Sequence, residues 1–322
     1  MATANVVGRG IITEEIGDFY SRGLLERLLP NLVFTRFGQV RDIPRNAGSL
    51  DVKFRSFDSL TAATTALSEG STPTGSALAI TDVPATVAQY GDWVGITDVV
   101  DFNAIDPVLT EAAELLGEQA GNSLDIIARE VLSVGTGVIY ANGAVTGSVS
   151  SSISVNMVRD AVENLASANA RKITRIVSPD TGYATSPINA SYIGLVHPKT
   201  VYTLKGLTGW ISVEKYAAQG DIMPGEVGAL DEVRFIQTSN GSYADNAGVG
   251  SVDVYKTIIL GANAYGITRI SGEAIRNIVK PLGSAGTADP LDQRATSGWK
   301  ATFVAKILND NAMVRIEHAV EV

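Results

Sequence analysis

The 322 residues are 45% hydrophobic and 18% charged, with 32 glycines, no cysteine and a formal net charge of -9. That size supports one large globular domain or two ordinary ones, and the missing cysteine excludes disulfides, thiolate nucleophiles and cysteine-based metal sites. The acidic balance argues against a general nucleic-acid binder, which presents a basic face.

Residues 11–29 carry a weak helical stripe, Ile12, Ile16, Phe19, Tyr20, Leu24 and Leu28, ended by Pro30. Residues 30–48 read as an arm without regular structure, studded with Arg36, Arg41 and Arg45. At 49–57 Leu50, Val52 and Phe54 alternate with Asp51, Lys53 and Arg55, which predicts a strand. Alternation resumes at 78–83 and continues past Pro84 to Trp93, Val94 and Ile96. The intervening 58–77 is rich in Thr, Ala, Ser and Gly, with Leu60 and Leu67 its large apolar residues. A connection that long is usually functional. A hairpin with a small-residue tip cannot bury itself on its own subunit, so it is expected to lie on a neighbour.

The strongest helical pattern runs from Asp106 to Gly135. Asp106 and Pro107 suit a helix start, and Gly135 suits a stop. Val108, Ala112, Leu115, Leu116, Leu124, Ile127, Val131 and Leu132 form the stripe, with Gln119 as its polar break. Such a helix is about 40 Å long. Further on, 138–145 suggests a hairpin through Asn142-Gly143. A second helix is expected at 155–168 and a small one at 200–205, with strands at 173–178, 192–196, 233–237 and 252–260. At the carboxyl end Trp299, Ala301, Phe303, Ala305 and Ile307 alternate with polar residues, Asn309-Asp310-Asn311 turns the chain, and Val314, Ile316, His318 and Val320 continue the alternation. This reads as a hairpin packed on the long helix, with Trp299, Phe303 and Ile307 in the core.

Charge is segregated. Residues 1–55 hold eight Lys/Arg against six Asp/Glu, whereas 56–128 contain eleven acids and no Lys or Arg. The acidic stretch is either a solvated face or a surface that meets basic residues of another copy.

Motifs of catalysis are missing: no phosphate-binding loop, nucleophile elbow or dinucleotide fingerprint is present. His197 and His318 are the two histidines, and neither opens a metalloprotease motif. The acid pairs Glu14-Glu15 and Asp231-Glu232 read as solvated surface, and Asp289, Asp292, Arg294 and Lys300 as a structural ion-pair network. No catalytic residue, cofactor or metal is expected. No apolar run reaches the ~20 residues of a membrane span. Met1 to Gly10 lack the apolar core of a secretory signal.

An arm, a long hairpin, a long helix and a compact α+β middle together resemble the Hong Kong 97-type major capsid proteins of tailed phages. Ala66-Leu67-Ser68-Glu69-Gly70 with Thr72-Pro73, then Gln89-Tyr90-Gly91, is similar to the extended loop of that family in N-four-like phages and prophages. Lys280-Pro281-Leu282-Gly283, Asp289-Pro290-Leu291-Asp292-Gln293 and Gly298-Trp299-Lys300 resemble its carboxyl-terminal signature. The resemblance implies an N-terminal arm at 1–48 and an extended loop at 49–98. It also implies a peripheral domain from 99–139 and 252–322 with spine helix 106–134, and an axial domain at 140–251. It implies a shell of hexamers and pentamers in the virion, assembled in the bacterial cytoplasm around double-stranded DNA. Any scaffolding protein is expected to be a separate chain, and decoration and portal proteins are further expected partners. Expected assembly contacts are Arg36, Arg41, Arg45, Leu60, Leu67, Glu69 and Pro73. Two alternatives remain open: an encapsulin-like shell holding a cargo enzyme, and a carboxylate-based glycan-active enzyme.

Overall fold

The computed structural model describes residues 32–43, 51–57, 60–66, 69–70, 72, 75–99, 108–174, 190–216, 222–270, 275–284 and 289–320. The helix expected at 11–29, Glu14-Glu15 and most of the strand expected at 173–178 lie outside them.

In chain order the elements are β1 (Gln39–Ile43), β2 (Asp51–Phe57), β3 (Ile80–Thr86), β4 (Ala88–Thr97), α1 (Val108–Leu132), β5 (Val138–Tyr140), α2 (Val155–Ser167), β6 (Tyr192–Val196), α3 (Pro198–Lys205), β7 (Ile211–Ser212), β8 (Glu226–Leu230), β9 (Val233–Gln237), β10 (Tyr243–Ala244), β11 (Val254–Leu260), β12 (Tyr265–Ile270), β13 (Ile275–Lys280), β14 (Arg294–Ile307) and β15 (Met313–His318).

Helix α1 forms where the periodicity predicts it, with Glu111 in its first turn and Arg129 in its last, both complementing the dipole. Ala112, Ala113, Leu116, Ala120, Leu124, Ala128 and Leu132 are buried. Leu115, expected in the stripe, is 59% exposed, because it lies about 100° around the helix from Leu116. Alanines and the buried Gly117 and Gly121 hold the backbone close to the sheets instead. Beyond the last turn, Arg315 Nη1 donates to the carbonyls of Ser133 and, at 3.2 Å, Gly135. The cation thus sits at the negative end of the dipole. Its own charge is met by Glu317, 2.9 Å away.

Two sheets flank α1. Strand β14 is the axis of a five-stranded sheet, pairing antiparallel with β4, β12 and β13, while β1 runs parallel to β12 at the edge. The other sheet has eight strands in the order β5-β15-β11-β6-β9-β8-β7, with β10 added on β11. Alternate residues of its central strands serve opposite faces. Ile193, Leu195, Ile236, Ile258 and Leu260 join the core around α1. Tyr192, Val196, Phe235, Ile259 and Val314 join a second core under α2 and α3. Both faces are covered, which explains why these strands read as continuous apolar runs. Strands β11 and β15, grouped on sequence with the long helix, are hydrogen-bonded into the same sheet as β6.

Three expectations are corrected here. The stretch 30–48 is not irregular throughout, because Gln39–Ile43 pairs with β12. Asn142 and Gly143 do turn the chain in left-handed conformation (φ 73° and 90°), but β5 pairs in parallel with β15 and forms no hairpin there. Strands β14 and β15 belong to different sheets and are not a hairpin. The partners of β1 and β5 are remote in sequence.

His318 is fully buried on β15, with Nε2 3.0 Å from Thr257 Oγ1 and Nδ1 2.8 Å from the Ala319 carbonyl. Burial pushes its pKa down to about 4. The stability this neutral ring contributes is therefore present above its unfolded pKa of about 6.5 and is lost as pH falls towards 4, to a total of about 3 kcal/mol. The difference in urea-unfolding free energy between wild type and His318→Gln is expected to shrink by that amount between pH 7 and 4. Parallel pH curves for the two proteins would contradict a buried neutral imidazole.

Candidate assembly surfaces

Three features are candidates for an assembly surface or for its support: the arm, the hairpin and the outer face of the five-stranded sheet. The arm is fastened at Asp125. This carboxylate belongs to the acidic stretch, yet it is fully buried on α1, flanked one turn away on either side by the small residues Gly121 and Ala128. Oδ1 accepts from the amides of Val33 (2.8 Å) and Phe34 (2.7 Å), and Oδ2 from Asn240 Nδ2 (3.2 Å). Val33 and Phe34 are themselves buried, Phe34 at 1% exposure, and the Tyr265 hydroxyl donates to the Phe34 carbonyl. Burial pushes the Asp125 pKa up, opposed by these donors and by the charge of Arg129. Arg36 Nη1 extends the fastening by donating to the Pro224 carbonyl at 3.0 Å. One side chain thus joins arm, helix and the loop after β9.

The hairpin is the opposite case. Strands β2 and β3 pair antiparallel from Asp51↔Thr86 to Phe57↔Ile80. Among its described residues the base packs on the subunit, through Phe54, Ala85 and Val87, just past β3. Arg55 and Asp82 pair across the strands at 2.9 Å, and the hydrogen bond from Arg55 holds the Asp82 carboxyl below the usual range. Every described residue from 60 to 79 is exposed, Leu60 at 55% and Leu78 at 66% among them.

The outer face of the five-stranded sheet carries Trp93, 67% exposed, and Ile278, which register on either side of Gly298. A Cβ on Gly298 would lie 2.9 Å from Trp93 Cβ, so glycine is required where the two strands approach. Trp93 and Ile278 border an open, largely apolar cavity of about 560 Å³. The inner face of the same strands packs on α1. Trp299 and Phe303 are 4% and 5% exposed, and Ile307 is half-buried against the same core. The Trp299 indole N–H donates to Gln119 Oε1 (3.1 Å), whose Nε2 donates to Asp92 Oδ2 (2.6 Å). This relay accounts for the polar break in the helical stripe, and it is the main reason the Asp92 carboxyl lies below its usual range.

Of the residues expected at assembly contacts, Arg36, Arg41, Leu60 and Glu69 are exposed. Arg45, Leu67 and Pro73 lie outside the described residues. Arg36 reaches the loop before β8, Arg41 sits on β1, and Leu60 is beyond β2 on the hairpin. Asp125 is absent from the sequence expectation. The signal for it was a lone carboxylate surrounded by small residues at helical spacing.

Several other polar and charged groups are paired or cap an element. Asp231 and Glu232 are ion-paired to Arg159 (3.0 Å) and Lys172 (2.7 Å). Glu226 and Arg234 form a buried bidentate pair (2.7 and 2.6 Å), and Tyr216 donates to the same carboxylate at 2.8 Å. His197 caps α3, its Nδ1 accepting from the Lys199 amide. Asp289 accepts from the Arg294 amide at 2.8 Å, with the guanidinium 3.9 Å away.

No protein-family model and no curated protein matches the sequence. Solved structures do. The capsid of Ralstonia phage GP4 superposes with a TM-score of 0.68 at 13% identity, covering 90% of this chain and 89% of that one. The capsid of cyanophage P-SCSP1u gives 0.62 at 12% identity over 90% and 89%. The chain has the Hong Kong 97-type capsid fold. Within this fold lies also the SrpI encapsulin complex of Synechococcus elongatus, at a TM-score of 0.54 and 8% identity over 93% and 89%. The overall fold is thus shared with capsid proteins at very low sequence identity.

Proposed function

We propose that this chain is the major capsid protein of a tailed phage, a structural protein of the virion that assembles into an icosahedral shell of hexamers and pentamers around double-stranded DNA. The observation that carries the reading is the exposed hairpin, all of whose described tip residues find no cover on their own subunit. In this reading β2, β3 and the tip are the extended loop, α1 is the spine helix, and residues 32–43 end the N-terminal arm. The eight-stranded sheet joins the axial part to the peripheral one. The hairpin and the Trp93 face are covered by neighbouring copies, and Arg36, Arg41, Arg45, Leu60, Leu67, Glu69 and Pro73 are contacts between them. Scaffolding, decoration and portal proteins are its further partners, and no catalytic group is assigned. The family of N-four-like phages is the one whose loop and carboxyl-terminal sequences this chain resembles.

Acidic residues support a shell that confines DNA by repulsion. The segregation is smaller than the sequence implies, because Asp82 is neutralised by Arg55 and Asp125 is buried. An encapsulin-like shell is the second reading, favoured by the match to SrpI. Contents of purified particles separate the two, nucleic acid in one case and a packaged enzyme in the other.

Shortening 58–77 to a tight turn tests the reading. The variant is expected to keep the wild-type unfolding midpoint, because the described tip residues bury almost nothing, and to sediment as unassembled subunits or capsomers. Loss of folding would place the tip in the core, and unchanged assembly would deny the hairpin its role.

A further inference from the structure

Five separate parts of the chain converge on another cavity, of about 400 Å³: strand β1, the base of the β2–β3 hairpin, the turn after α2, the β11–β12 turn and the β14–β15 connection. Arg41, Arg55 and Arg171 line it together with Asn169, Asn263 and Asn309. Asn169 and Asn263 are left-handed (φ 53° and 60°), a conformation asparagine tolerates. Arg55 is engaged with Asp82. Among the described residues no carboxylate lies within ion-pair distance of Arg41 or Arg171, and both are exposed.

Two arginines with no carboxylate at ion-pair distance among the described residues, Arg41 and Arg171, at one concavity are out of keeping with a chain of net charge -9. Guanidinium stays charged at any biological pH, and its planar fork matches the paired oxygens of a phosphate better than it matches a single spherical anion. The asparagine amides add neutral donors. The volume falls within the small-ligand range, and a concavity of this size does not admit a nucleic-acid duplex. We propose that this pocket binds a small multivalent phosphate, of the size of inorganic diphosphate or triphosphate. The bound anion bridges the arm strand, through Arg41, to the α2 turn, through Arg171.

The test is calorimetric titration of the full chain with sodium triphosphate at fixed ionic strength. Saturable binding of one triphosphate per chain is expected, with a matching rise in unfolding temperature. Arg41→Gln combined with Arg171→Gln should weaken binding at least tenfold, whereas Arg276→Gln, which removes one charge on β13, should leave it unchanged. Asn263→Asp keeps the left-handed turn and brings a carboxylate to the pocket, so it should also abolish binding while the far-ultraviolet spectrum stays native. No saturable binding, or equal losses in the Arg276 variant and the double variant, overturns the proposal. A short DNA duplex forms the second arm. Duplex binding with the same dependence on Arg41 and Arg171 would assign these arginines to backbone phosphates and overturn a small-ligand pocket.

Discussion

Asp125→Ala is expected to cost about 4 kcal/mol and to release the arm from the long helix. Two buried amides, those of Val33 and Phe34, lose their acceptor together, and each unsatisfied buried donor costs about 1–3 kcal/mol. Asn240 loses a partner as well. Asp125→Asn separates acceptor from charge. Its carbonyl still receives both amides, and it removes a carboxylate whose pKa is raised by burial. A raised carboxylate pKa contributes stability at acid pH and loses it as pH rises through that value. The asparagine variant should therefore match or exceed wild type at pH 7, within about 1 kcal/mol, once Asn240 turns its amide. Urea unfolding supplies the energies, and limited proteolysis between residues 32 and 43 supplies the position of the arm. An alanine variant with wild-type stability and a protected arm would mean that the arm is held elsewhere.

The second large effect is at Trp299. Its ring is 4% exposed in the core shared by β14 and α1, so Trp299→Ala should cost about 3–5 kcal/mol. Trp299→Phe keeps most of the apolar contact and loses the N–H donated to Gln119, at an expected cost nearer 1 kcal/mol. Reversible unfolding of both variants checks the division. A loss below about 1 kcal/mol for the alanine variant would mean that this face of β14 is open to solvent.

Local pattern made much of the fold legible. The helix α1, the helix α2 and the strands β6 and β9 lie where periodicity puts them, because each buries one or two complete faces. Alternation along β14 identified the inward residues Trp299, Phe303 and Ala305 for the same reason. Pairing was not legible. Strand β1 finds β12 more than two hundred residues away, β5 finds β15 at a similar distance, and no local signal marks either partner. The chain turns at Asn309-Asp310-Asn311 as expected, but it passes from one sheet to the other there. Side-chain type misled at two places on α1. Leucine at 115 suggested burial and aspartate at 125 suggested solvent, while small neighbours and two arm amides reversed both.

The exposed hairpin tip was anticipated from its small residues, and this is the part of the site that composition alone can reveal. The anchor that fixes the arm was not, since small residues at helical spacing around Asp125 do not say which distant amides it accepts. The Trp93 face was read as a strand without its outward side being recognised, because alternation there is broken by Gly91 and Gly95.

Electron microscopy of the purified full-length chain, expressed alone or with a scaffolding protein, bears most directly on the shell reading. Closed isometric particles built of five- and six-membered rings are the expected result, with the hairpin of each subunit lying on its neighbour. A chain that remains monomeric in the micrographs and in sedimentation at every protein and salt concentration, with and without the scaffold, would contradict it.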